Sequence, residues 1–256
     1  MLPPLAWDAP WFEPWRGPGE PVARLLAAGV PLHDAFNGQG APVRFVPADA
    51  LPDGVAYERF VFEQRACPTR ENLHDFFNAI CWIGIPATKS RLNELQAQEI
   101  ARGATAALRG PVRDAITILD ENGAVLQAPP PLWDALLARD WRRLFVDLRP
   151  LWREARLTIV GHALLEKLVR PRKELTAHVV TLAAPAGTRA DIDRWLAQRL
   201  TAAALARKPF TPLPVLGIPG WTPENQNFSF YDDSFVFRAA GANKPKTKAP
   251  PAAPRP

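Results

Sequence analysis

Between residues 71 and 83 the apolar positions Leu73, Phe76, Phe77 and Ile80 recur at i, i+3, i+4 and i+7, which predicts a helix with one face in a core. Thr69, after Pro68, is its expected N-cap. Gly84-Ile85-Pro86 ends it, and a second helix follows over 87–102. The stretch 188–206 is an amphipathic helix by the same period. Ile192, Trp195, Leu196 and Leu200 form its stripe, and Thr188 and Asp191 make a capping-box-like start. Two short helices, broken at Gly29-Val30-Pro31, fit 20–38. Short helices also fit 131–155, and a buried helix, apolar on most of its circumference, fits 155–169. Strand-like patterns occur at 43–46, 57–64, 176–184 and 227–238. A hairpin is expected over 114–127, where two apolar runs flank Asp120-Glu121-Asn122-Gly123. Four prolines and two glycines make 209–221 a rigid loop. Six prolines and three tryptophans in residues 1–21 predict an extended arm whose tryptophans pack on the body.

Strands and helices do not alternate regularly, which argues against a doubly wound sheet. The expected fold is a single α+β domain over 21–238, predominantly helical, with a small antiparallel sheet that includes the hairpin. A Pro/Trp-rich arm (1–20) precedes it, and a disordered basic Pro/Ala/Lys tail (239–256) follows. The length of 256 residues suffices for one sizeable core, and the 47% hydrophobic and 22% charged content is that of an ordinary globular protein.

Charge adds little about partners. Of the formal net charge of +5, the tail supplies +4 through Lys244, Lys246, Lys248 and Arg255, leaving +1 on the other 238 residues. The tail could attract nucleic acid or an anionic membrane weakly, but no nucleic-acid-binding motif accompanies it. Two cysteines, Cys67 and Cys81, fit a reducing cytoplasm rather than a disulfide framework. The N-terminal stretch lacks a basic n-region and a continuous apolar h-region, so no secretory leader is expected. No apolar run approaches the roughly 18 residues of a membrane span.

Five blocks carry a resemblance: "CPTRENLHDFFNAICWIGIPATKSRLNELQAQEI" (67–100), "RDAITILDENGAVL" (113–126), "GHALLEKLVRP" (161–171), "PLPVLGIPGW" (212–221) and "FYDDSFVFR" (230–238). In this order they resemble a proteobacterial domain-of-unknown-function family, number 3025, over roughly 57–238. The resemblance implies no activity, cofactor or catalytic residue. It does separate the two Leu-His-Asp hexads of the chain. "LHDFFN" (73–78) sits inside the first block, whereas "LHDAFN" (32–37) has no such setting and reads as coincidence.

The candidate chemistry lies in those blocks. His74 and Asp75 are adjacent on a helix, about 100° and about 200° round from Leu73. Adjacent His-Asp on a helix can hold one cation if other helices add ligands; the plainer alternative is a flank histidine and an acid near a helix N-terminus. His162 and Glu166 share a face at i, i+4, and a covered glutamate needs a partner: a metal, His74 or an arginine. Asp114 is a further catalytic candidate, and Arg70 and Arg113 are candidate anion binders, since guanidinium matches phosphate bidentately. Asp120 reads as a turn residue, and Cys81 as an inert core thiol. The chain lacks G-x-G-x-x-G, Walker A, H-E-x-x-H, paired C-x-x-C and G-x-S-x-G.

Two functions follow as expectations. One is a cytosolic metal-dependent hydrolase of a phosphate-bearing substrate. Its catalytic residues would be His74, Asp75, Asp114, His162 and Glu166, and its metal ligands His74, Asp75, His162 and Glu166. The cation would be Mn²⁺, Fe²⁺, Mg²⁺ or Zn²⁺. The other is a non-catalytic binding module whose aromatic and proline-rich loops form the recognition surface.

Overall fold

A computed structural model describes residues 3–103, 110–182, 184 and 187–239. The chain runs α1 (Arg16–Ala27), α2 (Leu32–Phe36), β1 (Arg44–Pro47), α3 (Tyr57–Gln64), β2 (Ala66–Thr69), α4 (Leu73–Gly84), α5 (Pro86–Ala101) and α6 (Pro111–Asn122). It continues with β3 (Gly123–Gln127), α7 (Pro130–Ala138), β4 (Arg156–Ile159), α8 (His162–Lys167), β5 (Thr176–Val180), α9 (Arg189–Arg199), α10 (Ala202–Ala206) and β6 (Phe210–Pro214). The fold is α+β and mainly helical. One sheet has the order β4-β3-β5-β6; β1 and β2 form a separate parallel pair. The larger sheet is mixed: β3 runs antiparallel to β4 but parallel to β5, and β5–β6 is antiparallel.

The capping box of α9 forms as the sequence implies, with Thr188 and Asp191 bonded reciprocally, but Leu200 and Thr201 separate α9 from α10. Helix α4 forms over Leu73–Gly84 with Phe76, Phe77 and Ile80 fully buried. Its cap is Asn72, whose side chain accepts from Asp75 N. Thr69 instead ends β2 and bonds Cys67 O.

Several local expectations are corrected. Residues 114–127 are not a hairpin. Val112, Ala115, Ile116 and Leu119 bury one face of α6, and β3 begins at Gly123. Gly123 has φ −72°, so no positive-φ turn exists there; a Cβ would instead lie 2.3 Å from Leu119 O. The stretch 57–64 is helix α3, not a strand, and the segment expected as one buried helix divides into β4 and α8. The proline-rich 209–221 contains β6, an edge strand, where a missing N–H costs the sheet least. Residues 227–238 hold a 3₁₀ turn over Phe228–Asp232 rather than a strand. The N-terminal prolines do not exclude a helix. Pro18 falls in the first turn of α1, where an N–H has no intrahelical acceptor, and Pro21 is accommodated inside it. The tail expected to be disordered lies outside the described residues beyond Ala239.

Trp15 ties the N-terminal segment to the core. It is fully buried, its Nε1 donates to Ile159 O at 3.1 Å, and its ring lies where a Cβ on Gly84 would be, 2.5 Å away. The Arg189 guanidinium covers the same ring and donates from Nε to Gly84 O. This packing fixes the C-terminal end of α4, the helix that carries His74. Asp193 of α9 accepts from Ala87 N and Thr88 N, supplying from another helix the cap that Ile85 cannot give α5. No helix among the described residues is long and apolar enough to cross a membrane.

Candidate functional site

The site forms where α4, α6 and α8 meet. Asn72 starts α4 so that Asp75 and His74 lie in its first turn. Asp75 turns towards Arg70, accepting from its backbone N at 2.6 Å, its Nε at 3.1 Å and its Nη2 at 2.9 Å. His74, one position round, faces α8 instead. Helix α6 delivers Asp120 and Glu121 in its last turn before the chain enters β3. Gly161 permits α8 to start hard against this junction, because a Cβ there would lie 2.5 Å from both Asn122 N and Gly123 N. Gly123 O accepts from Val160 N and Gly161 N, each at 2.9 Å, and holds the two segments together.

This approach places His162 beneath His74. The His162 Nδ1 is 2.7 Å from the backbone carbonyl of Asp120. A carbonyl only accepts, so this Nδ1 carries the proton and Nε2 is left with a lone pair. Glu166, one turn along α8, brings Oε2 to 3.0 Å from His74 Nδ1. An ionised carboxylate likewise makes His74 Nδ1 the donor. The two Nε2 atoms then face one another at 3.1 Å, with the rings edge to face. Glu121 Oε1 lies 3.8 Å from His162 Nε2. One donor atom each from His74, Glu121 and His162 lies within 4.8 Å of the others.

Behind this cluster is a buried ion pair. Lys89 of α5 is 5% exposed and brings Nζ to 2.5 Å from Asp120 Oδ1 and 2.8 Å from Asn78 Oδ1. Asn78 Nδ2 continues to Tyr57 OH at 3.2 Å, and Tyr57 OH lies 3.1 Å from Cys67 Sγ. On the opposite wall, Asn93 Nδ2 donates to both the carbonyl and Oε2 of Glu58, each at 2.8 Å. A cavity of about 450 Å³ joins these walls; Leu51, Trp82, Leu92 and Ile116 are among its apolar lining.

Electrostatics separates the groups. Burial opposes the charge on Asp120, but Lys89 and the nearby imidazoles outweigh it and hold the carboxyl below its usual value. Burial also works against Lys89, and Asp120 outweighs it, raising the ammonium pKa. Burial pushes His162 down to about 4, against the pull of Asp120. Glu58 and Glu121 are both raised, first by burial and then by the Asp120 charge. Burial lifts Tyr57 well above its ordinary value and the Cys67 thiol to about 11.

Of the residues singled out from sequence, His74, His162 and Glu166 come into direct contact. Asp75 and Arg70 line the same cavity but are engaged with one another. Asp114 lies on an exposed face of α6, 3.4 Å from Lys208, and Arg113 is buried on α6; neither lines the cavity. Asp120 is in a helix and ion-paired, not in a turn. Cys81 is a core thiol, fully buried and pushed up by burial to about 12. Sequence reasoning missed Glu121, Asp120, Lys89 and Glu58 as site residues. The signal for Lys89 was available, since it shares the buried helix α5 with Leu92, Asn93 and Gln96.

The family model described as Protein of unknown function (DUF3025) matches residues 43–240, more than half of the chain, and the protein belongs to that family. No curated protein and no solved structure matches it significantly.

Proposed function

Proceeding from membership of a family that brings no activity with it, we propose that the protein is a metal-dependent hydrolase of a phosphate-bearing substrate, with its cation held by His74, His162 and Glu121. The observation that carries this reading is the pair of Nε2 atoms facing each other at 3.1 Å while both Nδ1 atoms are committed to acceptors. Two lone pairs at that distance repel, and either a proton on His74 Nε2 or a metal cation beside both nitrogens relieves the repulsion; we take the cation, because Glu121 adds a third donor on the same side. Two imidazole ligands about 2.1 Å from one cation, at about 90–110°, are about 3.0–3.4 Å apart. The observed spacing fits that geometry.

Two imidazoles and one carboxylate leave open coordination positions and suit Zn²⁺, Fe²⁺ or Mn²⁺ better than Mg²⁺. A cation in that position lowers the pKa of a bound water and supplies a nucleophile at neutral pH. The protein's own groups divide the remaining work. Glu166 and the Asp120 carbonyl orient the rings and fix their tautomers. Lys89 neutralises the Asp120 carboxylate. Arg70 stands at the rim with its side chain 64% exposed and its Nη1 edge free of protein acceptors among the described residues, a fit for a phosphate oxygen. Asp75 in this reading positions Arg70 and is not a metal ligand; Glu166 positions His74. Free, buried Cys67 and Cys81 support a reducing compartment, which we take to be a bacterial cytoplasm.

A non-catalytic binding module is favoured by a different observation: Phe228 and Phe235 expose 52% and 69% of their surface on the C-terminal segment. The test is a screen of tag-free protein, loaded with one equivalent of Zn²⁺ or Mn²⁺, against phosphomonoesters and phosphodiesters. Turnover that vanishes in Glu121→Gln and with chelator supports the hydrolase. Stoichiometric metal without turnover of any phosphoester leaves the binding reading.

A further inference from the structure

The charges around the cavity do not cancel evenly. Arg70 is matched by Asp75 at 2.9 Å, and Lys89 by Asp120 at 2.5 Å. Two carboxylates of the lining remain, Glu121 and Glu58. Glu121 stands with His162 and His74. Glu58 stands alone: among the described residues no Lys, Arg or His nitrogen lies within 4.0 Å of its carboxylate. Its partner is the neutral amide of Asn93, which binds Oε2 and the backbone carbonyl together and so fixes the side chain against the wall. Oε1 has no protein donor among the described residues. Burial, and then the neighbouring Asp120 charge, work against ionisation of Glu58, while the more distant Lys89 charge and the Asn93 hydrogen bond offset them only in part.

A dication on two neutral imidazoles and Glu121 would carry one excess positive charge, which the Glu166 carboxylate behind His74 offsets from outside the cavity, and its open coordination positions would take an anionic oxygen; at the other end the Glu58 carboxylate has no cationic nitrogen within 4.0 Å among the described residues. The cavity is therefore complementary to a ligand with an anionic group at one end and a cationic group at the other. Resting on the metal-hydrolase reading, we infer that Glu58 and Asn93 form a seat for a substrate ammonium group, so that the substrate class is an amino-bearing phosphate ester. The phosphoryl group faces His74, His162, Glu121 and the Arg70 edge. The ammonium donates to Glu58 Oε1. A phosphate ester lacking the amine leaves Glu58 desolvated and unpaired, which discriminates against it.

The full chain, loaded with one equivalent of Zn²⁺, is titrated calorimetrically with O-phosphoethanolamine and with propyl phosphate, which replaces the ammonium by a methyl group. Phosphoethanolamine is expected to bind roughly tenfold more tightly, as for an ion pair shielded from bulk water. Glu58→Gln is expected to bring the ratio close to one, by weakening phosphoethanolamine and strengthening propyl phosphate, which no longer desolvates an unpaired carboxylate, with the bound zinc unchanged. Glu58→Asp, which keeps the charge, is expected to retain part of the preference. Equal binding of the two ligands by the wild-type chain overturns the ammonium seat and leaves the phosphate reading standing. A preference that survives Glu58→Gln overturns the assignment to Glu58. Binding of neither ligand by the zinc-loaded protein removes the phosphate reading together with the inference. The wild-type comparison requires no variant, so a poorly folding Glu58→Gln does not remove the test.

Discussion

Replacing Lys89 by methionine tests the frame on which the site is built. The methionine keeps most of the apolar stem but removes the ammonium that sits 2.5 Å from Asp120 Oδ1 and 2.8 Å from Asn78 Oδ1. Asp120 is then a carboxylate with no cation, next to a buried imidazole. Breaking one side of a buried pair typically costs about 3–5 kcal/mol, because the remaining charge is desolvated without compensation. The Asp120 side chain keeps 19% exposure against 5% for Lys89, so water reaches it and the lower end, about 3 kcal/mol, applies. At about 2–4 °C per kcal/mol for a chain of this size, the melting temperature should fall by roughly 6–12 °C. Urea unfolding at pH 7 measures the loss. Lys89→Met with Asp120→Leu should recover most of it, since an apolar pair carries no desolvation cost. Asp120 is held below its ordinary value of 3.8, so in the wild type the pair contributes fully above about pH 4. That contribution is lost as the pH falls towards the lower folded pKa, and the Lys89→Met protein should lack this acid limb. A Lys89→Met protein within about 1 kcal/mol of wild type, or a double variant no more stable than the single one, would refute the reasoning.

Glu166→Gln should lower metal affinity about 10–100-fold with little change in stability, because it removes the anionic acceptor that orients His74 from a half-exposed position; competition with a chromophoric chelator measures it. Gly161→Ala should cost at least 1–3 kcal/mol, since its Cβ meets the backbone of Asn122 and Gly123 at 2.5 Å and neither can yield, and it should displace His162 as well; thermal unfolding and metal binding both report on it. Cys67 and Cys81, pushed to about 11 and about 12 by burial, should resist iodoacetamide at pH 8 in the folded protein and react only on denaturation, which mass spectrometry would show. Rapid labelling of the native protein would contradict their burial.

The helices with long apolar stripes were legible from sequence, and so was the α9 cap, because each signal is local. The error over 114–127 shows where locality failed. The β-branched run Ile116-Thr117-Ile118 and the tetrad Asp-Glu-Asn-Gly carry the marks of a hairpin, yet the helical period of Val112, Ala115, Ile116 and Leu119 was also present and tertiary burial selected it. That choice moved Asp120 and Glu121 from a turn to the end of a helix and so into the site. Gly123 and Gly161 are needed for close backbone approach, which a sequence does not distinguish from a turn. His74 and His162 were each visible as candidates. Their meeting, 88 residues apart in the chain, depends on how α8 docks on α4 and on the junction of α6 with β3.

The central claim is that the two facing imidazoles and Glu121 hold a cation. Elemental analysis of protein purified without a metal-binding tag, beside a His74→Ala, His162→Ala double variant whose folding is verified by circular dichroism, tests it most directly. Close to one equivalent of a first-row transition metal is expected in the wild type, as purified or after incubation with Zn²⁺, and none in the variant. Absence of stoichiometric metal in the wild type after incubation, or equal retention by the folded variant, would contradict it.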